Sequence, residues 1–313
     1  MAVETVVVIV GAGPSGLATA ACLTRHSIPH VILEREDCYA SLWKKRTYDQ
    51  LGLHLAKEFC SLPLKSVPPS APTFMPKDYF LRRYCPFQPV QIGFKYKSKD
   101  VLVVGCGNSG MEIAYDLSDH GASTSIVIRS PLHVLNKELV HRGMSLLKYL
   151  PAYMVDTLIT MLAKMEFGDL SKYGIRRPFR GPFANKNATE RSPIIDVGTI
   201  KKIRNGEIQV VSEISTIYKN NILFKNGTQK NFDAIVFATG YRATNKWLKE
   251  AKSTLNGVGI QENGFPQHWK GEKGLYCAGF TRRGLFGVSM DAKAIAEDIN
   301  QAITKQKKKS SVF

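Results

Sequence analysis

Two glycine-rich turns lie in one chain of 313 residues, and the residues that follow them differ in charge. The first is Gly11-Ala12-Gly13-Pro14-Ser15-Gly16, between an apolar run from Thr5 to Val10 and a helix-like stretch ending near Arg25. The second is Gly105-Cys106-Gly107-Asn108-Ser109-Gly110, between Val101–Val104 and a helix-like stretch ending near His120. In such a turn the first glycine permits the bend, the second lets backbone approach a pyrophosphate, and the third lets the helix pack on its strand. The helix N-terminus then offers unpaired N–H groups and a partial positive charge to the phosphates. About twenty positions past each turn, a carboxylate suits a ribose with free hydroxyls, whereas a guanidinium suits a 2′-phosphate. The strand Val31–Leu33 ends on Glu34, and the strand Ser125–Ile128 ends on Arg129. The first turn therefore reads as an FAD site and the second as an NADPH site, with Ser130 and Lys137 as secondary candidates for the 2′-phosphate.

Other chemistry-bearing residues are scattered. The six cysteines (Cys22, Cys38, Cys60, Cys85, Cys106 and Cys277) contain no CxxC pair. That argues for a reducing compartment and against both a zinc cluster and a redox-active dithiol. The seven histidines show no metal-ligand spacing. The net charge of +17 has one tight basic cluster, Lys305 to Lys309, which reads as a solvated, disordered tail. No nucleic-acid motif accompanies it, and anionic cofactors and substrate are sufficient partners for the positive field. The apolar stretch Met144–Phe167 is interrupted by Lys148, Pro151, Asp156 and Lys164, so it reads as a buried or amphipathic helix rather than a membrane span. Met1 leads directly into the first strand, leaving no room for a targeting leader, and the cytoplasm is the expected location.

The elements that must position the turns follow an α/β pattern. Beyond Arg129 a helical region extends to about Leu170, then a loop through Arg180-Gly181-Pro182. Strands are predicted at Ile194–Val197, Glu207–Val211 and Ile222–Phe224, with Arg204-Asn205-Gly206 and Lys225-Asn226-Gly227 as hairpin-like turns. Phe232 to Phe237 reads as a buried strand ending in Ala238-Thr239-Gly240-Tyr241, where Gly240 permits close approach to a ligand. Leu275–Ala278 reads as a last strand, and Gly279, Gly284 and Gly287 lead into a helix from about Val288 to Ala302.

Several strings resemble plant YUCCA flavin monooxygenases. They are Gly11 to Ala18, Ala40-Ser41-Leu42-Trp43, Leu53-His54-Leu55-Ala56-Lys57-Glu58-Phe59 and Pro72-Thr73-Phe74 in the first part of the chain. The resemblance continues through Val101–Tyr115, Gly168–Gly174, Asp196-Val197-Gly198-Thr199, Phe232–Tyr241, Cys277–Phe280 and Gly284–Asp298. It implies a two-dinucleotide-binding-domain flavoprotein, with a Rossmann-like NADPH domain inserted in a Rossmann-like FAD domain. On that pattern residues 1–84 and 232–304 form the FAD domain, 101–231 the NADPH domain, and 305–313 a basic tail. The resemblance also implies that Trp43 and His54 lie in flavin-contacting loops, and that Thr239, Gly240 and Gly279 approach a cofactor. The implied reaction is oxidative decarboxylation of indole-3-pyruvate, or a similar aromatic 2-oxo acid, to indole-3-acetate (auxin). NADPH, FAD and O2 would act through a C4a-(hydro)peroxyflavin, with no catalytic side chain assigned. One departure stands against it. The family has a long segment before the second turn where only residues 85–100 occur here, so part of the FAD domain and the interdomain segment is expected to be missing. Such a chain could be a catalytically impaired relative that at most binds cofactor, or an uncoupled NADPH-flavin oxidase.

Overall fold

In the computed structural model the described residues are 7–48, 51–84, 93–189, 191–240, 266–272, 274–281 and 283–310. They fall into two compact units, one of residues 1–47, 56–87 and 241–313, the other of residues 48–55 and 88–240.

The first unit opens with β1 (Val7–Val10), the first glycine turn, α1 (Pro14–Arg25) and β2 (His30–Leu33). β1 and β2 pair in parallel, Val8 opposite Val31 and Val10 opposite Leu33. The short helices α2 (Ser41–Lys45) and α3 (Lys77–Tyr84) follow. One face of the β1–β2 sheet, carrying Ile9 and Ile32, packs on α1 and on the last helix. The other face carries Val8, Val10, Val31 and Leu33, each between 40% and 56% exposed. A parallel sheet ordinarily has both faces covered.

The second unit holds β3 (Asp100–Val104), the second turn, α4 (Asn108–Asp119) and β4 (Ser123–Val127), followed by β5 (Val134–Leu135), α5 (Lys137–Leu146) and α6 (Ala152–Phe167). Next come α7 (Pro182–Thr189), β6 (Ile194–Ile195), α8 (Thr199–Arg204), β7 (Ile208–Val211), β8 (Ile214–Tyr218), β9 (Asn221–Phe224), β10 (Gln229–Asn231) and β11 (Ala234–Phe237). β11, β3, β4 and β7 form a parallel four-stranded sheet in that order. Here the same motif is buried on both faces, and Val101, Leu102 and Val103 are fully inaccessible. Helices α4, α5, α6 and α8 cover one side. Ile222 and Phe224 of the antiparallel β8–β9–β10 sheet, with Phe232, pack on the other.

Several expectations need correction. The reading that placed everything from Phe232 onward in the FAD domain fails at β11, which pairs with β3 and belongs to the second unit as far as Gly240. Its apolar run reads the same in either sheet, so the sequence did not discriminate. Arg204-Asn205-Gly206 is not a hairpin: Gly206, at φ +78°, closes α8. Lys225-Asn226-Gly227 does turn β9 into β10, with the Gly227 N–H donating to the Phe224 carbonyl at 2.9 Å. The strand expected at Leu275–Ala278 is a single bridge between Tyr276 and Lys270. Finally, α9 (Gly284–Ser310) continues past Ala302 through the lysine cluster read as a disordered tail, an extension that its Gln- and Lys-rich sequence permits. The inner face of α9, with Ala292, Ile295, Ala296 and Ile299, packs on Ala18, Cys22 and Leu23 of α1.

The two turns differ in what each glycine is for. A Cβ on Gly110 would sit 2.0 Å from the Gly105 carbonyl oxygen, whereas a Cβ on Gly107 would meet nothing within 4 Å. Gly110→Ala is therefore expected to lower stability by about 1–3 kcal/mol, and Gly107→Ala by far less. Urea denaturation of both variants checks this; equal losses would contradict the packing role of Gly110.

Candidate functional site

The first turn leads from β1 into the start of α1, where helix N–H groups face outward. Gly11 adopts φ +100°, and its N–H donates to the Leu33 carbonyl at 2.7 Å, fixing the turn to the end of β2. Gly13 caps α1 with no side-chain hydrogen bond, and Pro14 stands in the first helical turn. Gly13 has extended backbone (φ −75°, ψ 179°) that any residue adopts. A Cβ there would meet nothing within 4 Å. Neither backbone geometry nor packing requires glycine at this position. The open space in front of the Gly13 backbone fits a dinucleotide pyrophosphate. Gly16 lies against the Gly11 carbonyl, its absent Cβ 2.0 Å from that oxygen.

Glu34 sits at the end of β2 as the sequence placed it. Its Oε2 accepts the Ala12 N–H at 2.6 Å and its Oε1 accepts the Glu36 N–H at 3.0 Å. The Ala12 bond, reinforced by Glu36, holds the carboxyl below its ordinary range. Each carboxylate oxygen keeps a second lone pair, so ribose hydroxyls can be bound without releasing the turn. The Ala12 carbonyl in turn accepts the Ala40 N–H at 2.8 Å, which ties the turn to the start of α2. Trp43 of α2 packs its ring 4.8 Å from that of buried Phe80.

A second group in this unit joins Gly279, which the sequence placed near a cofactor, to His268 and Asp291, which were not singled out from the sequence. Gly279, at φ +92°, lies so close to α1 that its Cβ would be 2.5 Å from Ser15 Oγ. Its N–H donates to Asp291 Oδ2 at 2.8 Å, and Asp291 Oδ1 bonds His268 Nε2 at 2.8 Å. Asp291 is 1% exposed and His268 9%. The buried pair holds the Gly279 loop against the turn residue Ser15. The only sequence signal was an Asp seven residues into an apolar helix face, which does not reveal a partner.

The second turn repeats the geometry. Gly105 has φ +113°, and its Cβ would be 2.5 Å from the Ala238 carbonyl. Thr239 and Gly240 therefore adjoin this turn. Gly107 opens onto free space like Gly13, and Gly110 packs like Gly16. Asn108 Oδ1 accepts the Ile195 N–H at 2.8 Å, joining α4 to β6. The half-buried Cys106 thiol accepts the Arg129 backbone N–H, and burial outweighs this to push its pKa up. It is thus held as the thiol. Burial, and next the nearby Glu112 carboxylate, raise the pKa of the Tyr48 hydroxyl. His54 Nε2 lies 2.5 Å from Oε1 of Glu112, a carboxylate 1% exposed on α4. His54, whose string resembles a flavin loop, groups with the second unit. Arg129 follows β4 with its side chain 71% exposed and its Nε 3.7 Å from the Glu213 carboxylate. Such an exposed pair is weak, so the guanidinium can turn to a phosphate. Ser130 follows Arg129, and Lys137 starts α5.

Residues 52–290 match the model of the flavin-binding monooxygenase-like family, and residues 4–56 match that of an FAD binding domain. The chain is 46% identical to the probable indole-3-pyruvate monooxygenase YUCCA10 of Arabidopsis thaliana over 376 positions, covering 96% of this chain and 98% of that protein. It is 37% identical to indole-3-pyruvate monooxygenase YUCCA1 of Oryza sativa subsp. japonica over 368 positions, covering 94% and 91%. Both alignments are longer than the 313 residues present here. Among solved structures, OTEMO in complex with FAD and NADP shares the fold at a TM-score of 0.69 and 11% identity, covering 99% of this chain and 86% of that one. The flavin-containing monooxygenase from Stenotrophomonas maltophilia does so at 0.59 and 16%, covering 95% and 98%.

Asp291→Asn keeps the shape of the side chain but puts an amide nitrogen toward either Gly279 or His268. One buried contact is lost, at an expected cost of about 1–3 kcal/mol. A urea midpoint unchanged from the parent would show that the Asp291 ties do not hold the loop.

Proposed function

Because the chain belongs to the flavin-binding monooxygenase-like family, we propose that it converts indole-3-pyruvate to indole-3-acetate in auxin formation, consuming NADPH and O2. One oxygen atom enters the shortened acid, C1 leaves as CO2, and the other oxygen leaves as water with the electron pair from NADPH. The observation that carries this reading is the pair of glycine cradles with opposite charge beyond them, in a chain whose relatives are named for this substrate.

The residues have separate tasks. The N-terminus of α1, with Gly11, Ala12, Gly13, Pro14, Ser15 and Gly16, would hold the FAD pyrophosphate, and Glu34 its ribose hydroxyls. Bound FAD supplies hydride acceptance and oxygen activation, chemistry that no side chain provides. The N-terminus of α4, with Gly105, Cys106, Gly107, Asn108, Ser109 and Gly110, would hold the NADPH pyrophosphate. Arg129 would fork onto the 2′-phosphate. The Asp291–His268 pair would fix the loop at Gly279 against Ser15.

The reading is tested by incubating the full chain, loaded with FAD, with NADPH and indole-3-pyruvate, and quantifying indole-3-acetate against NADPH consumed. Near-equal amounts are expected. NADPH loss with peroxide and no indole-3-acetate would instead identify an uncoupled oxidase.

A specific observation favours a second reading, in which the chain is a shortened relative of impaired activity. The alignments with relatives outrun its length, and the outer face of β1–β2 stands open while the matching face of β3–β4 is covered. A chain that stays colourless when FAD is supplied would support this reading over the first.

For the active enzyme, Arg129→Ala should raise KM for NADPH by at least about tenfold and leave KM for NADH nearly unchanged, the loss of one charge-assisted fork. Parallel changes for both nucleotides would refute the 2′-phosphate role.

A further inference from the structure

We propose that the loop Arg176–Arg180 and the first turns of α6 form a docking surface for an anionic lipid bilayer. Phe179 is fully exposed, at 107% of its reference area. Its outward position is set by anchors on both sides. The Leu132 N–H donates to the Arg176 carbonyl at 2.9 Å, and His133 Nε2 donates to the Arg180 carbonyl at 2.7 Å. Just beyond, Gly181 backs onto Asp156 of α6, where a Cβ would lie 2.4 Å from the carboxylate stem. Both Asp156 oxygens accept N–H groups from the first turn of α7, Phe183 at 2.7 Å and Ala184 at 2.9 Å. The fold therefore fixes the base of the loop and leaves its phenyl ring in solvent.

The same end of α6 carries more apolar surface. Tyr153, one turn before Asp156, is 72% exposed, and Tyr149, just ahead of the helix, is 83% exposed. Along the solvent face of α6, Met154, Leu158, Met161 and Met165 continue as an apolar ridge, each exposed. A patch of this kind marks an interaction site.

Charge selects the occupant. From Ser171 to Lys186 the chain carries Lys172, Arg176, Arg177, Arg180 and Lys186 with no Asp or Glu, and Asp169 just ahead offsets part of the charge of Lys172 and Arg177. Tyrosine and phenylalanine beside clustered Arg and Lys match the interface of an anionic bilayer, where rings enter the headgroup boundary and cations face the phosphates. No described helix is long and apolar enough to cross a membrane, so the contact would lie in the interface plane.

The test is flotation of the full chain with phosphatidylcholine vesicles, with and without phosphatidylserine. Binding is expected only where phosphatidylserine is present, and it should weaken as ionic strength rises from about 0.1 M to about 0.5 M. Phe179→Ala should lower partitioning about tenfold, and Tyr153→Ser should lower it in the same direction. Both variants should keep the parent's thermal midpoint, since neither side chain is buried. Replacing Lys307, Lys308 and Lys309 with Gln should leave binding largely intact. Three results would overturn the proposal: no phosphatidylserine-dependent binding, binding lost with the lysines but kept in both aromatic variants, or self-association by light scattering that Phe179→Ala abolishes without any vesicle binding. The last would assign the face to a second copy of the chain.

Discussion

Each half of this protein turns on a carbonyl oxygen pressed against a helix. Gly11 and Gly105 direct their carbonyls at Gly16 and Gly110, at a distance no Cβ could share. That contact lets α1 and α4 lie directly on the ends of their strands, with their first N–H groups facing out of the turn. Removing side chains at these positions gives up local conformational stability, and the close packing offsets it. The open cradles at Gly13 and Gly107 follow, because the tight third glycine has already brought the helix start to the right place. What surrounds the first turn then serves to keep it rigid: Glu34 on Ala12, Ala40 on the Ala12 carbonyl, and Gly279 against Ser15. Preorganisation of this kind means that a ligand does not have to order the loop as it binds.

The turns, with a strand before and a helix after each, were legible in the sequence because their logic is local. Glycine spacing, a strand before and a helix after are features of about thirty contiguous residues, and both turns formed as read. The boundary between the units was not legible. Phe232 to Phe237 is an apolar run suited to either parallel sheet, and only pairing with Val101–Val104 decides between them. The Gly279–Asp291–His268 ties were likewise hidden, since they join residues that neither a motif nor a helical repeat brings together. The His54–Glu112 contact was hidden for the same reason, since it joins residues 58 positions apart. In each case the hidden feature was a long-range pairing.

The buried polar groups divide by what satisfies them. Asp291 and Asp156 both use two oxygens to hold backbone or ring N–H groups; Asp291 joins a loop to α9, and Asp156 joins α6 to the start of α7. Breaking such a pair leaves the partner desolvated and unmatched, a larger penalty than the bond itself was worth. Both carboxylates stand where a loop must be held in one position, at the first turn and at the base of Phe179. Apolar packing in the same places would permit sliding; paired acceptors do not.

The contrast between the two sheets bears most directly on what the chain can do. Val101, Leu102 and Val103 are inaccessible because β3 has neighbours on both edges and layers on both faces. Among the described residues, Val8, Val10, Val31 and Leu33 have one covering layer behind them and water in front, in a sheet of two strands. Four half-exposed aliphatic side chains forgo roughly 1 kcal/mol each of the burial that a second layer would supply. Among the described residues no further strand pairs with the outer edges of β1 and β2. The first unit thus relies on α1 packed against α9 and on the polar ties around the turn more than on its sheet. A bound dinucleotide would add stability to this unit in proportion to its affinity. Retention of FAD and folding of the first unit are therefore one linked equilibrium, and the catalytic competence of the chain depends on where that equilibrium lies.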